Sequence, residues 1–167
     1  PINFYGYSKL KGEQAVKELA RDYCIARASV IYGATLAIGK VNFALWLIDR
    51  LKRNEPVNVL IDQFVSPTLN TNLANMLLEV AEKRLKGIYH LAGANRVSRY
   101  EFALELCEAF GFDLSLIKPA RMDEINWIAK RPRDSSLDVS KSMKELSAKP
   151  LELDEALQKF KNEIKVY

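Results

Sequence analysis

Short apolar segments typical of buried strands alternate with amphipathic segments along most of this 167-residue sequence. The strand-like segments span residues 23–32, 57–61, 87–93 and 114–117. The segments with helical periodicity span residues 8–22, 41–53, 70–86, 98–110, 140–146 and 153–164. Alternation of strands and helices of these lengths predicts an α/β fold.

The predicted strands are too few for a complete doubly wound sheet, which normally has six or more and carries a glycine-rich phosphate-binding turn. Neither G-x-G-x-x-G, G-x-x-G-x-x-G nor G-x-x-x-x-G-K occurs in the sequence. The chain starts at Pro1 without an initiator methionine or a secretory leader. We therefore interpret it as the C-terminal part of a longer protein, with any dinucleotide pyrophosphate site upstream of Pro1.

Composition excludes several classes of function. The 25 basic and 21 acidic side chains leave a net charge of +4 and form no basic cluster, which argues against nucleic acid as a partner. The longest apolar stretch, 41–48, is far shorter than the roughly 20 residues needed to span a membrane. Cys24, Cys107 and a single His90 provide neither zinc spacing nor a disulfide framework. We expect a cytoplasmic protein with buried thiols and no metal site.

Tyr5 and Lys9 are four residues apart in a predicted helix, so their side chains share one face. An ammonium beside a phenol favours the phenolate, and such a tyrosine can donate a proton to a ketone oxygen or accept one in the reverse reaction. Tyr7 and Lys11 have the same spacing, although Lys11 lies on the more charged face. Spacing alone therefore leaves open that Tyr5 is a hydrophobic staple and Lys9 a surface charge.

Six motifs in order resemble those of extended short-chain dehydrogenase/reductases, and in particular the dTDP-4-dehydrorhamnose reductase family. They cover nearly the whole chain, which makes the resemblance specific. They are Y-G-x-[ST]-K-L-x-G-E at 5–13, R-x-S-x-x-Y-G at 27–33, Asn42-Phe43, D-Q-x-G-x-P-T at 62–68, G-x-Y-H-L-A-G at 87–93 and R-P-x-x-S-x-L-D at 131–138.

The resemblance implies the C-terminal portion of a Rossmann-type enzyme together with its smaller substrate-binding lobe. Residues 1–40 and about 70–97 would form the last strands and helices of the Rossmann domain. Residues of about 41–69 and 98–167 would belong largely to the substrate-binding lobe.

The resemblance also implies an activity, the NADPH- or NADH-dependent reduction of the 4-keto group of a nucleotide-linked deoxysugar. Tyr5 would be the proton donor, Lys9 would hold the nicotinamide ribose and favour the phenolate, and Ser29 would contact the cofactor. Most of the cofactor site would lie upstream, so this chain alone would be inactive. The resemblance further implies Mg²⁺ as an additional cofactor and a homodimer as the assembly.

For the nucleotide sugar, the resemblance implies contacts from Val30, Asp62, Gln63 and Arg131. Arginine suits a diphosphate because its planar guanidinium makes two charge-assisted hydrogen bonds. The residues themselves leave alternatives, because Asp62 and Gln63 could equally form a capping turn and Arg131 could lie in a solvated loop. Val30 stands where the family often has tryptophan, and Val65 replaces a motif glycine, so the identity of the sugar stays open.

A second reading is a binding or regulatory subunit that keeps the fold without turnover. The methionine adenosyltransferase regulatory subunit has a Y-G-x-x-K motif and an R-P-R loop, and this sequence has Tyr5-Gly6 before Lys9 and Arg131-Pro132-Arg133. Such a protein works by binding a partner enzyme. Reductase and regulatory subunit are both retained as hypotheses from the sequence.

Overall fold

The computed structural model describes residues 1–35 and 41–164. Within these ranges the chain forms six α-helices and eight short strands. The helices are α1 (Phe4–Leu19), α2 (Phe43–Lys52), α3 (Asn70–Glu82), α4 (Arg99–Phe110), α5 (Ser140–Glu145) and α6 (Leu153–Ile164). The strands are β1 (Cys24–Arg27), β2 (Ile31–Tyr32), β3 (Val57–Leu60), β4 (Phe64–Val65), β5 (Thr68–Leu69), β6 (Gly87–His90), β7 (Val97–Ser98) and β8 (Ile117–Ala120).

The strands associate in pairs, with helices between them in the sequence. β1 pairs with β6, β2 with β5, and β3 with β8, all in parallel, whereas β4 and β7 are antiparallel. Parallel pairs need crossover connections, and helices provide them here. The predicted α/β fold is confirmed. Over the described residues, no helix combines the length and the apolar character needed to cross a membrane.

Two predicted strands differ from the structure. The segment 23–32 is interrupted between β1, which pairs with β6, and β2, which pairs with β5. In this break the Ser29 hydroxyl accepts a hydrogen bond from Ser66 N at 3.2 Å. The prediction of a strand at 114–117 is wrong for most of its length. Leu114–Leu116 is a 3₁₀ turn in which the Asp113 side chain accepts hydrogen bonds from the N–H and the hydroxyl of Ser115, and the strand starts only at Ile117. An aspartate that bonds the backbone two residues on favours a turn over a strand.

Capping explains the helix boundaries. α1 begins four residues earlier than predicted because the Asn3 side chain accepts a hydrogen bond from Gly6 N at 2.8 Å. α3 ends at Glu82 because Arg84 adopts a left-handed backbone conformation with φ of 51°. The predicted capping box of α4 is present between Ser98 and Glu101.

The buried core has two main parts. The larger lies between α2, α4 and α6, where the rings of Tyr32, Phe102 and Phe160 pack with centroids 5.2 Å apart in two pairs. Full burial of one such side chain stabilises a fold by about 1.5–3 kcal/mol. The smaller joins α3, β6 and Leu146, the residue that follows α5. The predicted division of the chain into Rossmann and substrate-binding residues stays a prediction. Its first boundary, between residues 40 and 41, adjoins residues 36–40, which lie outside the described residues.

The motif at 87–93 packs closely against the motif at 62–68, and this contact requires a glycine at position 93. A Cβ atom added at Gly93 would lie 2.0 Å from the carbonyl oxygen of Pro67. The Gly93 N–H also donates to the Thr68 hydroxyl at 3.2 Å. The segment after β6 therefore lies directly against residues 67–68, which end the motif whose Gln63 and Val65 line a cavity described next.

Candidate active site

Two adjoining cavities open on one side of the molecule, with volumes of about 710 Å³ and 340 Å³. Three side chains line both: Gln63, Arg99 and Arg131. The larger cavity is otherwise lined by Pro1, Ile2, Asn3, Tyr5, Gly6, Ala28, Ser29, Val30, Ile31, Val65, Pro132 and Ser135. The smaller is otherwise lined by Phe43, Trp46, Asn58, Val59, Leu60, Ile125 and Trp127.

The first turn of α1 brings Tyr5 to the larger cavity. The side chain is 70% exposed, and the Lys9 ammonium lies 5.6 Å from the centre of its ring. The competing pair has nearly the same geometry, since Lys11 lies 5.7 Å from the ring of Tyr7. What distinguishes the pairs is location: Tyr5 lines the cavity and Tyr7 does not.

Ser29 and Val30 form another part of the cavity wall, in the break between β1 and β2. The Ser29 hydroxyl donates to the Ser135 carbonyl at 3.2 Å and accepts from Ser66 N at the same distance. This hydroxyl is therefore engaged within the protein and connects the 131–136 loop to the cavity wall. Val30 offers the cavity only an apolar surface.

Gln63 and Arg99 form the boundary between the cavities. The antiparallel pairing of β4 with β7 extends to them, because Arg99 N donates to the Gln63 carbonyl at 3.0 Å. The Arg99 Nε also donates to Gln63 Oε1 at 3.3 Å, and its guanidinium lies 5.0 Å from the ring of Phe43. The Arg99 side chain is thus held in one orientation between two elements.

Arg99 and Arg131 carry positive charge without a carboxylate to balance it. Across residues 1–35 and 41–164, neither guanidinium has an Asp or Glu oxygen within 4.0 Å. Burial lowers the pKa of Arg99, and the positive charge of Arg131 lowers it further. A partly desolvated cation without a counter-ion costs folding free energy. The arrangement favours binding of an anion at the cavity boundary.

Arg131 belongs to a loop that is fixed to β4. Phe64 N donates to the Arg133 carbonyl at 2.7 Å, and Phe64 and Asp134 form a parallel bridge. Arg96 donates to Asp134 at 2.8 Å while its guanidinium lies 3.8 Å from the centre of the Phe64 ring. These contacts fix the backbone of the loop at residues 133–134, while the Arg131 side chain stays exposed.

The smaller cavity is aromatic. Phe43 and Trp46 stack with ring centroids 5.7 Å apart on α2. Across the cavity, Trp127 Nε1 donates to the Met122 carbonyl at 3.0 Å, and the Arg131 guanidinium lies 5.6 Å from the Trp127 ring. Such a site can accept a planar ring by stacking.

Asp62 lies outside the lining of both cavities. Its Oδ1 accepts from Met122 N at 2.9 Å, and its Oδ2 lies 3.7 Å from the Arg133 guanidinium. The carboxylate therefore supports the turn that carries Trp127 on its C-terminal side.

The structure brings together most of the residues selected from the sequence. Tyr5, Ser29, Val30, Gln63 and Arg131 line the larger cavity, Lys9 lies beside Tyr5, and Asp62 lies apart. Sequence reasoning missed Arg99. No local pattern marks it, since its role depends on the pairing that brings residue 99 against residue 63.

Metal ligation finds no support in the described part of the chain. There, no three His, Cys, Asp or Glu side chains group closely enough to hold an ion. The Mg²⁺ implied by the resemblance stays an expectation.

Known proteins resemble this chain along nearly its whole length. The family model of the RmlD substrate binding domain matches residues 1–166. A probable low-salt glycan biosynthesis reductase, Agl14 of Haloferax volcanii, is 35% identical over 94% of this chain and 53% of its own. Methionine adenosyltransferase 2 subunit beta of Xenopus tropicalis is 31% identical over 84% of this chain and 43% of its own.

A solved structure of dTDP-4-dehydrorhamnose reductase from Bacillus anthracis in complex with NADP superposes with a TM-score of 0.87 at 32% identity. The superposition covers 98% of this chain and 56% of that one. The chain thus spans about half the length of the relatives it matches. Because the family model covers nearly every residue and the fold agrees, this chain belongs to the RmlD substrate-binding domain family.

Proposed function

We propose that this chain forms the substrate-binding and proton-donating part of an NAD(P)H-dependent reductase of a nucleotide-linked 4-ketosugar. The observation that carries the proposal is the order of chemical groups along the two cavities. A phenol stands at one end, two guanidinium groups lie at the boundary, and an aromatic surface lies at the other end. A sugar, a diphosphate and a planar base follow one another in the same order in a nucleotide sugar.

The proton-transfer step is assigned to Tyr5. Its phenol faces the larger cavity and would donate a proton to the ketone oxygen as hydride adds to the carbonyl carbon. The nicotinamide cofactor supplies that hydride when bound. Lys9 fits a role beside the nicotinamide ribose, because its ammonium is exposed and no carboxylate of the described residues lies within 4.0 Å.

The remaining contacts follow from the cavity lining. Val30 would pack on the sugar ring, and Gln63, a residue that is only 9% exposed, would position Arg99 through its amide oxygen. Arg131 and Arg99 would bind the diphosphate oxygens. Ser29 would act by fixing the cavity wall, since its hydroxyl is already bonded on both sides. Asp62 would act through the turn that it supports.

The test is turnover in the natural full-length protein, followed as NADPH or NADH oxidation with dTDP-4-dehydrorhamnose. Removing a general acid typically lowers the rate by about 10²–10⁴-fold, so we expect Tyr5→Phe to lower kcat by that factor. Lys9→Met should lower it as well. Tyr7→Phe and Lys11→Met are matched controls, because they alter the pair with the same spacing outside the cavity. Equal effects from both pairs would refute the assignment.

A regulatory subunit remains the second candidate, and its support is the 31% identity to methionine adenosyltransferase 2 subunit beta over 84% of this chain. That reading predicts a stable complex with a partner enzyme and no cofactor oxidation with any nucleotide ketosugar. Size-exclusion chromatography of the natural full-length protein with a purified methionine adenosyltransferase, alongside the turnover assay, separates the two functions.

A further inference from the structure

Four side chains of α1 follow one another at steps of four residues: Tyr5, Lys9, Glu13 and Lys17. Side chains with this spacing are neighbours on one face of a helix. Glu13 is therefore within reach of Lys9 on one side and of Lys17 on the other. An ion pair between Glu13 and Lys9 would place a negative charge next to the ammonium that adjoins Tyr5.

The structure shows a different pairing. Arg27 of β1 donates from Nε to Glu13 Oε1 at 2.8 Å and from Nη2 to Glu13 Oε2 at 2.6 Å. Both oxygens of the carboxylate are thus engaged by one guanidinium, in the geometry that makes the strongest protein ion pairs. The Glu13 side chain is only 19% exposed. The hydrogen bond from Arg27 lowers the pKa of Glu13, so the carboxylate is ionised at neutral pH.

We propose that Arg27 is a positioning residue: by holding Glu13 against β1, it keeps the carboxylate away from Lys9 and leaves the ammonium free to act on Tyr5. The inference rests on the proposed function, in which Tyr5 transfers the proton. It assigns a role to the arginine of the R-x-S-x-x-Y-G segment, which lies outside both cavities.

The surrounding charges define what the loss of Arg27 would do. Lys17 and His90 also act on Glu13 electrostatically, and Arg99 and Arg131 line the cavity that contains Tyr5. Without Arg27, Glu13 would turn to its neighbours on α1. Each carboxylate that pairs with Lys9 cancels part of the positive field at the phenol, so the phenol would retain its proton to higher pH.

The experiment compares pH profiles of kcat/KM in the natural full-length protein. We expect Arg27→Met to move the Tyr5-dependent limb to higher pH by roughly half to one unit, since a neighbouring opposite charge shifts such equilibria by about one unit or more. KM for the sugar should change by less than about twofold. Arg53→Met is the matched control, because it breaks an exposed arginine–aspartate pair away from the cavities.

The double variant Arg27→Met/Glu13→Gln separates positioning from structural support. The neutral amide no longer competes for Lys9, so the profile should return to that of the unaltered protein. If Arg27 only stabilised the packing of α1, the double variant would be no better than Arg27→Met. An unchanged profile in Arg27→Met, or no recovery in the double variant, would overturn the proposal.

A second readout does not depend on turnover. In protein labelled with ¹³C at tyrosine Cζ, the resonance that disappears in Tyr5→Phe reports the ionisation of this phenol directly. Its titration should move to higher pH in Arg27→Met and return in the double variant, whereas an unmoved titration refutes the role of Arg27. If the natural protein lacks turnover, the proposed function fails while this titration still decides the inference. Thermal unfolding confirms that each variant is folded.

Discussion

Replacing Arg99 by methionine should separate binding from stability. Methionine keeps an unbranched apolar side chain but removes the charge at the boundary of the two cavities. The two guanidinium groups at this boundary have no carboxylate partner in the described residues, so a bound anion would be their counter-ion. We therefore expect the main loss in ligand affinity and little loss in the free energy of unfolding.

The magnitude follows from the contacts. A hydrogen bond to a charged group contributes about 1.5–3 kcal/mol, which corresponds to roughly 10- to 100-fold in Kd. In the unliganded protein, the variant loses the 3.3 Å hydrogen bond to Gln63 and the contact with Phe43 at 5.0 Å. The hydrogen bond is long and lies at the low end of that range, about 1.5 kcal/mol, and the contact with Phe43 adds about 0.5–1 kcal/mol. Relief of the desolvated charge offsets both losses. The free energy of unfolding should change by less than about 1 kcal/mol.

Isothermal titration with dTDP and with inorganic pyrophosphate measures the affinity, and urea unfolding measures the stability. Arg53→Met serves as the control, because it removes the exposed arginine that directly follows α2 and forms an i,i+4 ion pair with Asp49 away from the cavities. Unchanged affinity for both ligands in Arg99→Met would refute the anion site. A loss of several kcal/mol in stability would instead show that Arg99 is a structural residue.

Two further predictions concern stability. Gly93→Ala should destabilise the fold by about 3 kcal/mol in urea unfolding, because the alanine Cβ would lie 2.0 Å from the Pro67 carbonyl oxygen. Gly12→Ala is the control and should be neutral or stabilising, because a Cβ there has no heavy atom within 4 Å. Equal effects would contradict the close approach. Hydrogen bonds from Lys83, Ser147 N and Ala148 N lower the pKa of Glu79 to about 2 from its usual 4.5. The stabilisation from Glu79 is therefore fully present above about pH 4.5 and lost as the pH falls toward 2. The difference in the free energy of unfolding between the unaltered protein and Glu79→Gln should shrink over that window. A difference that stays constant would argue against these hydrogen bonds.

Local patterns in the sequence were sufficient for most helices and for the α/β fold. Helix periodicity and the capping box at Ser98 and Glu101 act within a few residues, so they are readable without the tertiary structure. Strands of two residues cannot be read from local patterns, since β4, β5 and β7 are defined only by their pairing with strands distant in sequence. The 3₁₀ turn at Leu114–Leu116 was missed because the Asp113 side chain outweighed the apolar pattern.

The candidate site divides in the same way. The Y-x-x-x-K spacing alone could not separate Tyr5 from Tyr7, and even the distances to their lysines differ by only 0.1 Å, from 5.6 to 5.7 Å. The separation comes from the position of the first turn of α1 beside the larger cavity. The ordered motifs supplied the family resemblance before any geometry was known, and the comparisons confirm it.

By itself, the sequence determined the alternation of helices and strands, the family and the residue types available for proton transfer, because these depend on local periodicity and on motif order. The tertiary structure decided which of those residues share a cavity. It places Asp62 outside the cavities, where its carboxylate accepts a hydrogen bond from Met122 N. It also brings Arg99 against Gln63 at the cavity boundary and pairs Glu13 with Arg27. The physical reason is common to all three: each contact joins residues distant in sequence, and its energy depends on burial and charge that only the folded chain creates.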